Sequence, residues 1–347
     1  MSAAESPHPS SGARPRRPRP PTMNDVAAMA GVSRGTVSRA LNGGHNVSPA
    51  AQEAIRKAIS KTGYVVNQHA RSLATQRAHS VAFILSESPD AFFEDPNYSV
   101  LLRGCAQALA IHDMTLLLTI AGTAEDSKRI SRYVTAGHVD GALLVSTHAG
   151  SPLFDELNAR GVPVVACGKP LGHERDVSYV AIDDRDGARR MVRHLRSRGR
   201  QRIATITGPL DLPGGVDRLA GYHDVLGQTD PRLIATGDYT QASGEAAMQR
   251  LLYEVPDLDA VFVASDLMAA GALTALRRAG RRVPDDVAVG GFDDSKVATA
   301  TTPKLTTIRQ PWARQSAEMA RLLLALIDGE QPAAVVLPAE LVARDST

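Results

Sequence analysis

The chain is poor in the residues that build metal sites, disulfides and membrane spans. Its 347 residues include only two cysteines, Cys105 and Cys167, and these form no CxxC pair, so neither a zinc site nor a disulfide framework is supported. No apolar run approaches the ~18 residues that a transmembrane helix needs. The proline- and arginine-rich stretch at 11–21 lacks the apolar segment of a secretory signal. We therefore expect a cytoplasmic protein without membrane contact, metal or other cofactor.

Signatures of common catalytic sites are missing as well. The sequence contains no GxxxxGK[ST] phosphate loop, no GxSxG nucleophile elbow and no HExxH zinc motif. Acidic pairs occur, but nothing supplies a nucleophile together with a base. The sequence predicts a binding protein, and an enzyme with a DNA-binding appendage stays open as an alternative.

Charge is distributed unevenly along the chain. Residues 1–80 contain eleven Lys/Arg and three Asp/Glu, a balance of +8, whereas the remaining residues contain 28 and 34, a balance of −6. A basic first part on an acidic remainder indicates a polyanionic partner for the first part alone. A solvated basic tail is the alternative. Residues 1–21 have no hydrophobic periodicity, and we expect them to be disordered.

Three short helices are expected in the basic region, over residues 22–66. Asn24 is the expected cap of the first helix, and Gly31 ends it. Ser33 can cap the second helix. Ser48 followed by proline begins the third, which ends at Gly63.

Residues 80–347 have a different pattern, in which short apolar runs alternate with longer amphipathic segments. The runs lie at 81–85, 115–120, 141–146, 163–167, 179–182, 202–207, 233–237, 260–265 and 287–292. Such alternation predicts parallel sheets with helices on both faces. Nine units exceed one ordinary doubly wound sheet, so we expect an α/β body of two subdomains, one comprising 80–178 and 311–331 and the other 179–310 and 332–347.

The segment AGVSRGTVSRALN, residues 30–42, has the plan of a helix-turn-helix motif: a glycine corner followed by a short helix. The second helix of this motif enters the DNA major groove with its first residues at the base edges. Here those residues are Arg34, Gly35 and Thr36, with Ser38 and Arg39 one turn later. Arginine can donate two hydrogen bonds to guanine, which discriminates by about 1–3 kcal/mol. The hydroxyls and amide suited to phosphate contact belong to Ser33, Asn42 and Ser48.

These motifs resemble one known family. NDVAAMAGVSRGTVSRALN, VSPAAQEAIRKAISKTGYVVNQHARSLA, FVASDLMAAGALTALRRAG, VPDDVAVGGFDDS and LTTIRQP are similar to segments of the LacI/GalR family of bacterial transcription regulators. The resemblance extends from Thr22 to the end of the chain. FFEDPNYSVLLRG and VVACGKPLG are most similar to actinobacterial members that respond to plant-derived oligosaccharides such as cellobiose. The implied fold is a helix-turn-helix head on a body like a periplasmic binding protein.

The resemblance also implies a hinge helix that folds on operator DNA, at Asn67 to Thr75 within a connecting segment 67–79. Asn67, Ala70 and Leu73 would then reach the minor groove, with Leu73 as the apolar wedge at the central base step. A plain linker is the alternative. Thr22 joins the residues expected to contact DNA. Val66 departs from the family, which usually has proline there, so the start of the hinge is less restrained.

Polar residues at the carboxyl ends of the expected strands are the candidates for ligand binding, because open α/β sheets bind ligands there. They are Lys169, Arg218, Tyr239, Ser265 and Asp293. The resemblance places Arg218, Asp293 and the only tryptophan, Trp312, at effector contacts, with Phe93 and Asp95 near others. Ser265 stands where many relatives have asparagine. Alternative roles are a helix cap for Asp293, a structural ion pair for Arg218 and simple core packing for Trp312.

The sequence therefore predicts a homodimeric repressor that binds double-stranded operator DNA and is controlled by a small sugar, with the sugar as inducer. A purine or nucleoside corepressor and a sugar-binding transport component remain alternatives. The sequence does not decide between induction and corepression, or between a dimer and a tetramer.

Overall fold

The computed structural model describes residues 19, 21–41, 47–64 and 77–347. The expected basic tail and most of the expected hinge lie outside these residues, as do the candidate DNA contacts Asn42, Asn67, Ala70 and Leu73. The described residues divide into two units at Arg77, and each is considered separately.

The described residues of the first unit form three helices: α1 (Met23–Ala30), α2 (Arg34–Leu41) and α3 (Pro49–Thr62). Their apolar faces form a small core that includes Val26, Val37 and Ile55. Gly31, at φ 66°, reverses the chain after α1 in the left-handed conformation that glycine favours.

The beginning of α1 differs from the expectation. Thr22, not Asn24, is the capping residue. The Asp25 carboxylate accepts hydrogen bonds from the Thr22 backbone N–H and hydroxyl, both at 2.7 Å. Asp25 can reach back to the free N–H at the helix start, whereas Asn24 already lies inside the first turn.

Twelve strands occur among the described residues of the second unit, and they form two parallel sheets and one small antiparallel pair. The first sheet has the order β11-β5-β4-β3-β1-β2, and the second has the order β7-β6-β8-β9. The strands are β1 (Ser80–Leu85), β2 (Thr115–Ile120), β3 (Gly141–Val145), β4 (Val164–Cys167), β5 (Ser178–Ile182), β6 (Ile203–Thr207), β7 (Ile234–Thr236), β8 (Ala260–Val263), β9 (Ala288–Gly290), β10 (Thr307–Arg309), β11 (Ala334–Leu337) and β12 (Glu340–Val342). The antiparallel pair joins β10 and β12.

The sheet order corrects the expected subdomain boundaries. β5 pairs with β4, and β11 pairs with β5, so residues 179–182 and 334–337 belong to the first sheet instead of the second. The error arose because an apolar strand fits either sheet equally well. Only the hydrogen-bond ladder decides which neighbour it joins.

Helices cover the sheets as the alternating pattern predicts. They are α4 (Pro89–Glu94), α5 (Pro96–Ala110), α6 (Ala124–Tyr133), α7 (Leu153–Asn158), α8 (Asp184–Ser197), α9 (Pro213–Leu226), α10 (Gln241–Glu254), α11 (Asp266–Arg278), α12 (Lys296–Ala300) and α13 (Trp312–Ile327). Three close pairs are α5 with α13, α8 with α9, and α10 with α11. Among the described residues, no helix is both long and apolar enough to cross a lipid bilayer.

Candidate functional site

The exposed side of α2 presents the residues predicted to read DNA bases. Arg34, Gly35 and Arg39 are exposed, and Thr36 and Ser38 are partly exposed. Val37 on the opposite side is fully buried and anchors the helix to the head core. The first turn of α2 can therefore approach a groove with its side chains and free N–H groups, and the helix dipole favours the anionic DNA backbone there.

Three of the predicted DNA contacts also shape the head. The Ser33 hydroxyl accepts from the Thr36 N–H at 3.1 Å, and the Ser48 hydroxyl accepts from the Ala51 N–H at 3.3 Å. Thr22 caps α1. Arg39 donates from Nε to the Gly35 carbonyl at 3.3 Å, so its remaining guanidinium donors extend beyond the helix.

In the body, a cleft opens where strands of both sheets end. β3, β4 and β5 of the first sheet point their carboxyl ends at it, as do β6, β8 and β9 of the second. Six of the eight predicted ligand contacts line it: Asp95, Arg218, Tyr239, Ser265, Asp293 and Trp312.

Arg218 is the buried cation of this cleft. Its Nε donates to Asp184 Oδ1 at 2.8 Å and its Nη1 donates to the Ala264 carbonyl at 2.5 Å. The guanidinium lies 3.7 Å from the centre of the Phe292 ring, a cation–π contact. Burial opposes the charge, but the surrounding groups Asp184, Tyr239 and Asp293 act against burial and the pKa of Arg218 is raised. Arg218 is thus both the structural ion pair considered above and a lining residue.

Asp293 lies on the same side of the cleft and is buried. Its Oδ1 accepts from the Gln310 amide at 2.6 Å, and its backbone N–H donates to the Ile308 carbonyl at 2.7 Å. Burial raises the pKa of Asp293 well above its ordinary value, although Arg218 acts against this rise. The side chain caps no helix, so the alternative role is not seen: Ser295 caps α12 instead.

Asp95 approaches from the first sheet and caps α5, accepting from the Asn97 N–H at 2.8 Å. Burial raises the pKa of Asp95 to about 6, while the Asn97 hydrogen bond and Arg218 lower it. The cleft therefore holds carboxylates from both sheets, which can accept hydrogen bonds from hydroxyl groups.

Strained backbone is concentrated at this cleft. Six non-glycine residues of the described chain have a positive φ, and three of them line the cleft: Ser146 (56°), Tyr239 (69°) and Asp293 (122°). Such conformations cost about 1–3 kcal/mol each and persist where the surrounding structure enforces them, often at binding sites. The positive φ angles and the polar side chains therefore both indicate this cleft as the binding site.

Tyr239 and Ser265 occupy specific places in the wall. The Tyr239 ring lies against Gly208, where an added Cβ would be only 2.1 Å from the ring. The Ser265 hydroxyl accepts from the Met268 N–H at 3.2 Å and so caps α11, which leaves its O–H donor and one acceptor lone pair for a ligand.

Phe93 and Lys169 do not line the cleft. Phe93 is 80% exposed on α4 and makes an edge contact with Phe92, with ring centroids 5.3 Å apart. Lys169 borders an adjoining cavity together with Asp183, Asp184 and Asp217. Both residues follow the end of a strand in the sequence. Their positions in the sequence do not give the direction of their side chains, which depends on the segment that carries them.

Several lining residues were missed by the sequence argument. They are Asn97, Tyr98, Ser146, Thr147, Asp184, Gln310 and Gln315. Of the adjacent acids Asp183 and Asp184, Asp183 caps α8 by accepting from the Asp186 N–H at 2.9 Å. Capping α8 does not need the carboxylate of Asp184, and this surplus acid was the signal in the sequence that could have identified Asp184 as a lining residue of the cleft.

A basic helix-turn-helix head in the same chain as a two-sheet, ligand-binding body defines a class: ligand-controlled bacterial transcription regulators. Comparison with known proteins agrees. Residues 22–67 match the family described as bacterial regulatory proteins, lacI family, and residues 192–347 match a periplasmic binding protein-like domain. The chain is 46% identical to the HTH-type transcriptional regulator CelR of Thermobifida fusca, over 95% of this chain and 99% of that protein. The chain belongs to the LacI family.

More distant relatives and solved structures agree with this assignment. The HTH-type transcriptional repressor CytR of Escherichia coli is 32% identical, over 94% of this chain and 96% of its own. A structure of a transcriptional regulator CelR-cellobiose complex superposes with a TM-score of 0.77 at 44% identity, covering 94% of this chain and 100% of that one. The lac repressor dimer bound to operator and an anti-inducer gives a TM-score of 0.82 at 28% identity, covering 94% and 99%.

Proposed function

We propose that the protein is a cytoplasmic homodimeric repressor whose affinity for operator DNA is lowered when a β-linked glucose disaccharide, cellobiose or a close analogue, binds in the body cleft. The support is the 46% identity to CelR and the structure of a CelR-cellobiose complex. The chemistry of the cleft supports the same ligand class. We also propose that the molecule binds its ligand without chemical conversion.

The observation that carries the sugar assignment is the ion pair of Arg218 with Asp184, with Asp293 buried in the same cleft and aromatic rings in its lining. Arginine donates to, and carboxylates accept from, neighbouring ring hydroxyls. Tyr239 and Trp312 line the same cleft and offer apolar surface to the C–H face of a sugar ring.

On the DNA side, we propose that α2 lies in the major groove, with Arg34 as a base-reading residue. Two heads of a dimer would meet the two halves of a near-palindromic operator. Asn42, Asn67, Ala70 and Leu73 remain proposed contacts on the strength of the family resemblance. Sugar and operator then oppose each other through one coupling free energy, about 1–3 kcal/mol in typical systems, or roughly 5- to 150-fold in affinity.

A gel-shift experiment tests the proposal. The full chain is incubated with DNA from upstream of its own gene, with and without cellobiose, longer cello-oligosaccharides, monosaccharides and nucleosides. We expect a sequence-specific complex that cellobiose weakens at least fivefold. Tighter binding with the sugar would reverse the direction of control, and a response to nucleosides alone would replace the ligand class. Asp293→Ala should keep operator affinity and lose the sugar response.

A further inference from the structure

Three buried polar atoms on one wall of the cleft have no hydrogen-bond partner among the described residues. They are Thr147 Oγ1, the indole nitrogen Nε1 of Trp312 and the amide oxygen Oε1 of Gln315, and all three residues line the cleft. A buried polar group without a partner is unfavourable, so each such group in a folded protein needs an explanation. A ligand that supplies the missing partners is one.

Gln315 is the most constrained of the three. It is only 2% exposed, and its Nε2 lies 3.3 Å from both the Val180 carbonyl and the Cys167 sulfur. The carbonyl can only accept, so the amide group must face it with its NH₂ and not with its oxygen. That requirement fixes the orientation of the amide and leaves Oε1 as the free acceptor.

Trp312 and Gln315 lie on the same face of α13. They are three residues apart in the first turn of α13, so their side chains are neighbours on one face of the helix. The two residues therefore supply one donor and one acceptor that lack partners, from one face of the helix. Two adjacent ring hydroxyls of a sugar, one accepting and the other donating, satisfy this arrangement.

We propose that Gln315 determines ligand specificity: its amide oxygen accepts a hydrogen bond from one ring hydroxyl of the effector, and the Trp312 indole N–H donates to a neighbouring one. This inference rests on the proposed function, because it names the part of the sugar that the α13 wall reads. A site built to bond a hydroxyl rejects an analogue that lacks it, since the protein group is then left unpaired.

The unpaired amide oxygen of Gln315 also leads to an expectation for the stability of the ligand-free protein. Replacing the Gln315 amide with an apolar side chain removes the unpaired oxygen. The Val180 carbonyl keeps a partner in this case, the Gly168 N–H at 2.9 Å. Gln315→Met, which is unbranched and of similar size, should therefore melt no lower than the wild type while binding the effector less well. A residue with only a structural role would lose both together.

Calorimetric titration with cellobiose and its monodeoxy analogues, each lacking one hydroxyl, tests the proposal on the full chain. We expect Gln315→Met to bind cellobiose at least tenfold more weakly than the wild type. One deoxy analogue that the wild type binds poorly should no longer be penalised relative to cellobiose in the variant. Met319→Leu, a volume-conserving change on the buried side of α13 outside the cleft, is the matched control and should leave the wild-type pattern unchanged.

The outcomes separate the two proposals. If the wild type binds none of the sugars, the proposed function fails and this inference fails with it. If cellobiose binds the wild type but every deoxy analogue keeps the same relative affinity in Gln315→Met, only the role of Gln315 is overturned. Gln315→Leu replaces the methionine variant if the latter does not fold, with the same expectations for the sugars.

Discussion

Replacing Arg218 with methionine should destabilise the body strongly, because it strands buried charge. The side chains of Arg218 and Asp184 are only 9% and 12% exposed, and Asp293 is buried close by. Arg218→Met removes the bonds to Asp184 and the Ala264 carbonyl together with the contact to the Phe292 ring. Removing one partner of a buried ion pair costs about 3–5 kcal/mol, since the other charge remains uncompensated.

The chain provides a matched control on the same two helices. Arg185 on α8 bonds Asp224 on α9 through two hydrogen bonds, the reverse arrangement of the pair formed by Arg218 on α9 and Asp184 on α8. Arg185 is 51% exposed, and Arg189 also lies within 3.4 Å of Asp224. Exposed pairs contribute about 0.2–1 kcal/mol, so Arg185→Met should cost no more than that.

Urea denaturation measures both variants, followed by the fluorescence of Trp312, the only tryptophan of the chain. With a slope of about 3 kcal/mol per molar urea, the Arg218→Met midpoint should fall by about 1–1.7 M, against about 0.3 M or less for Arg185→Met. Adding Asp184→Asn to Arg218→Met should recover part of the loss by removing the stranded charge. Equal shifts for the two single variants, or no recovery in the double variant, would refute the assignment of a buried ion pair.

Three further predictions concern other parts of the molecule. Asp95→Asn should raise the free energy of unfolding at pH 7 by at most about 3 kcal/mol. The pKa of Asp95 in the folded protein is about 6 against an ordinary 3.8, so stability falls as pH rises from about 4 to 6. Asparagine retains the cap of α5, and a variant with the wild-type pH profile would contradict this prediction. Gly208→Ala should weaken effector binding at least fivefold in calorimetry by displacing the Tyr239 ring, while operator affinity stays constant; unchanged sugar affinity would exclude that ring from the site. Arg34→Ala should relax base preference at one position per half-site in a binding-site selection, whereas uniform weakening on all sequences would restrict Arg34 to phosphate contact.

Local sequence was enough to predict most of the elements. All nine apolar runs between residues 81 and 292 are strands, and helices form in the amphipathic segments between them. The caps at Ser33 and Ser48 and the stops at Gly31 and Gly63 were also correct. These features depend on side-chain periodicity and on hydrogen bonds over three or four residues, which a sequence displays directly.

The helix α13 was not foreseen, although it carries part of the cleft. Its buried side includes Gln315 and Ser316 as well as Met319 and Leu323, so polar residues interrupt the apolar stripe that would identify a helix. Gln315 is buried because it lines the cleft, whereas Ser316 packs against Gly104 of α5, where an added Cβ would meet its hydroxyl. The deviation from the expected pattern therefore coincides with the functional surface at Gln315.

Sequence alone determined the local elements of this protein, the uneven charge and the helix-turn-helix plan, because each depends on residues a few positions apart. The tertiary structure decided which sheet β5 and β11 join, and it brought Asp184 to Arg218 across 34 positions and Gln315 to Val180 across 135. Such pairings depend on long-range burial and on the direction of each side chain, which no short segment encodes. The chemistry of the cleft is therefore a property of the folded body.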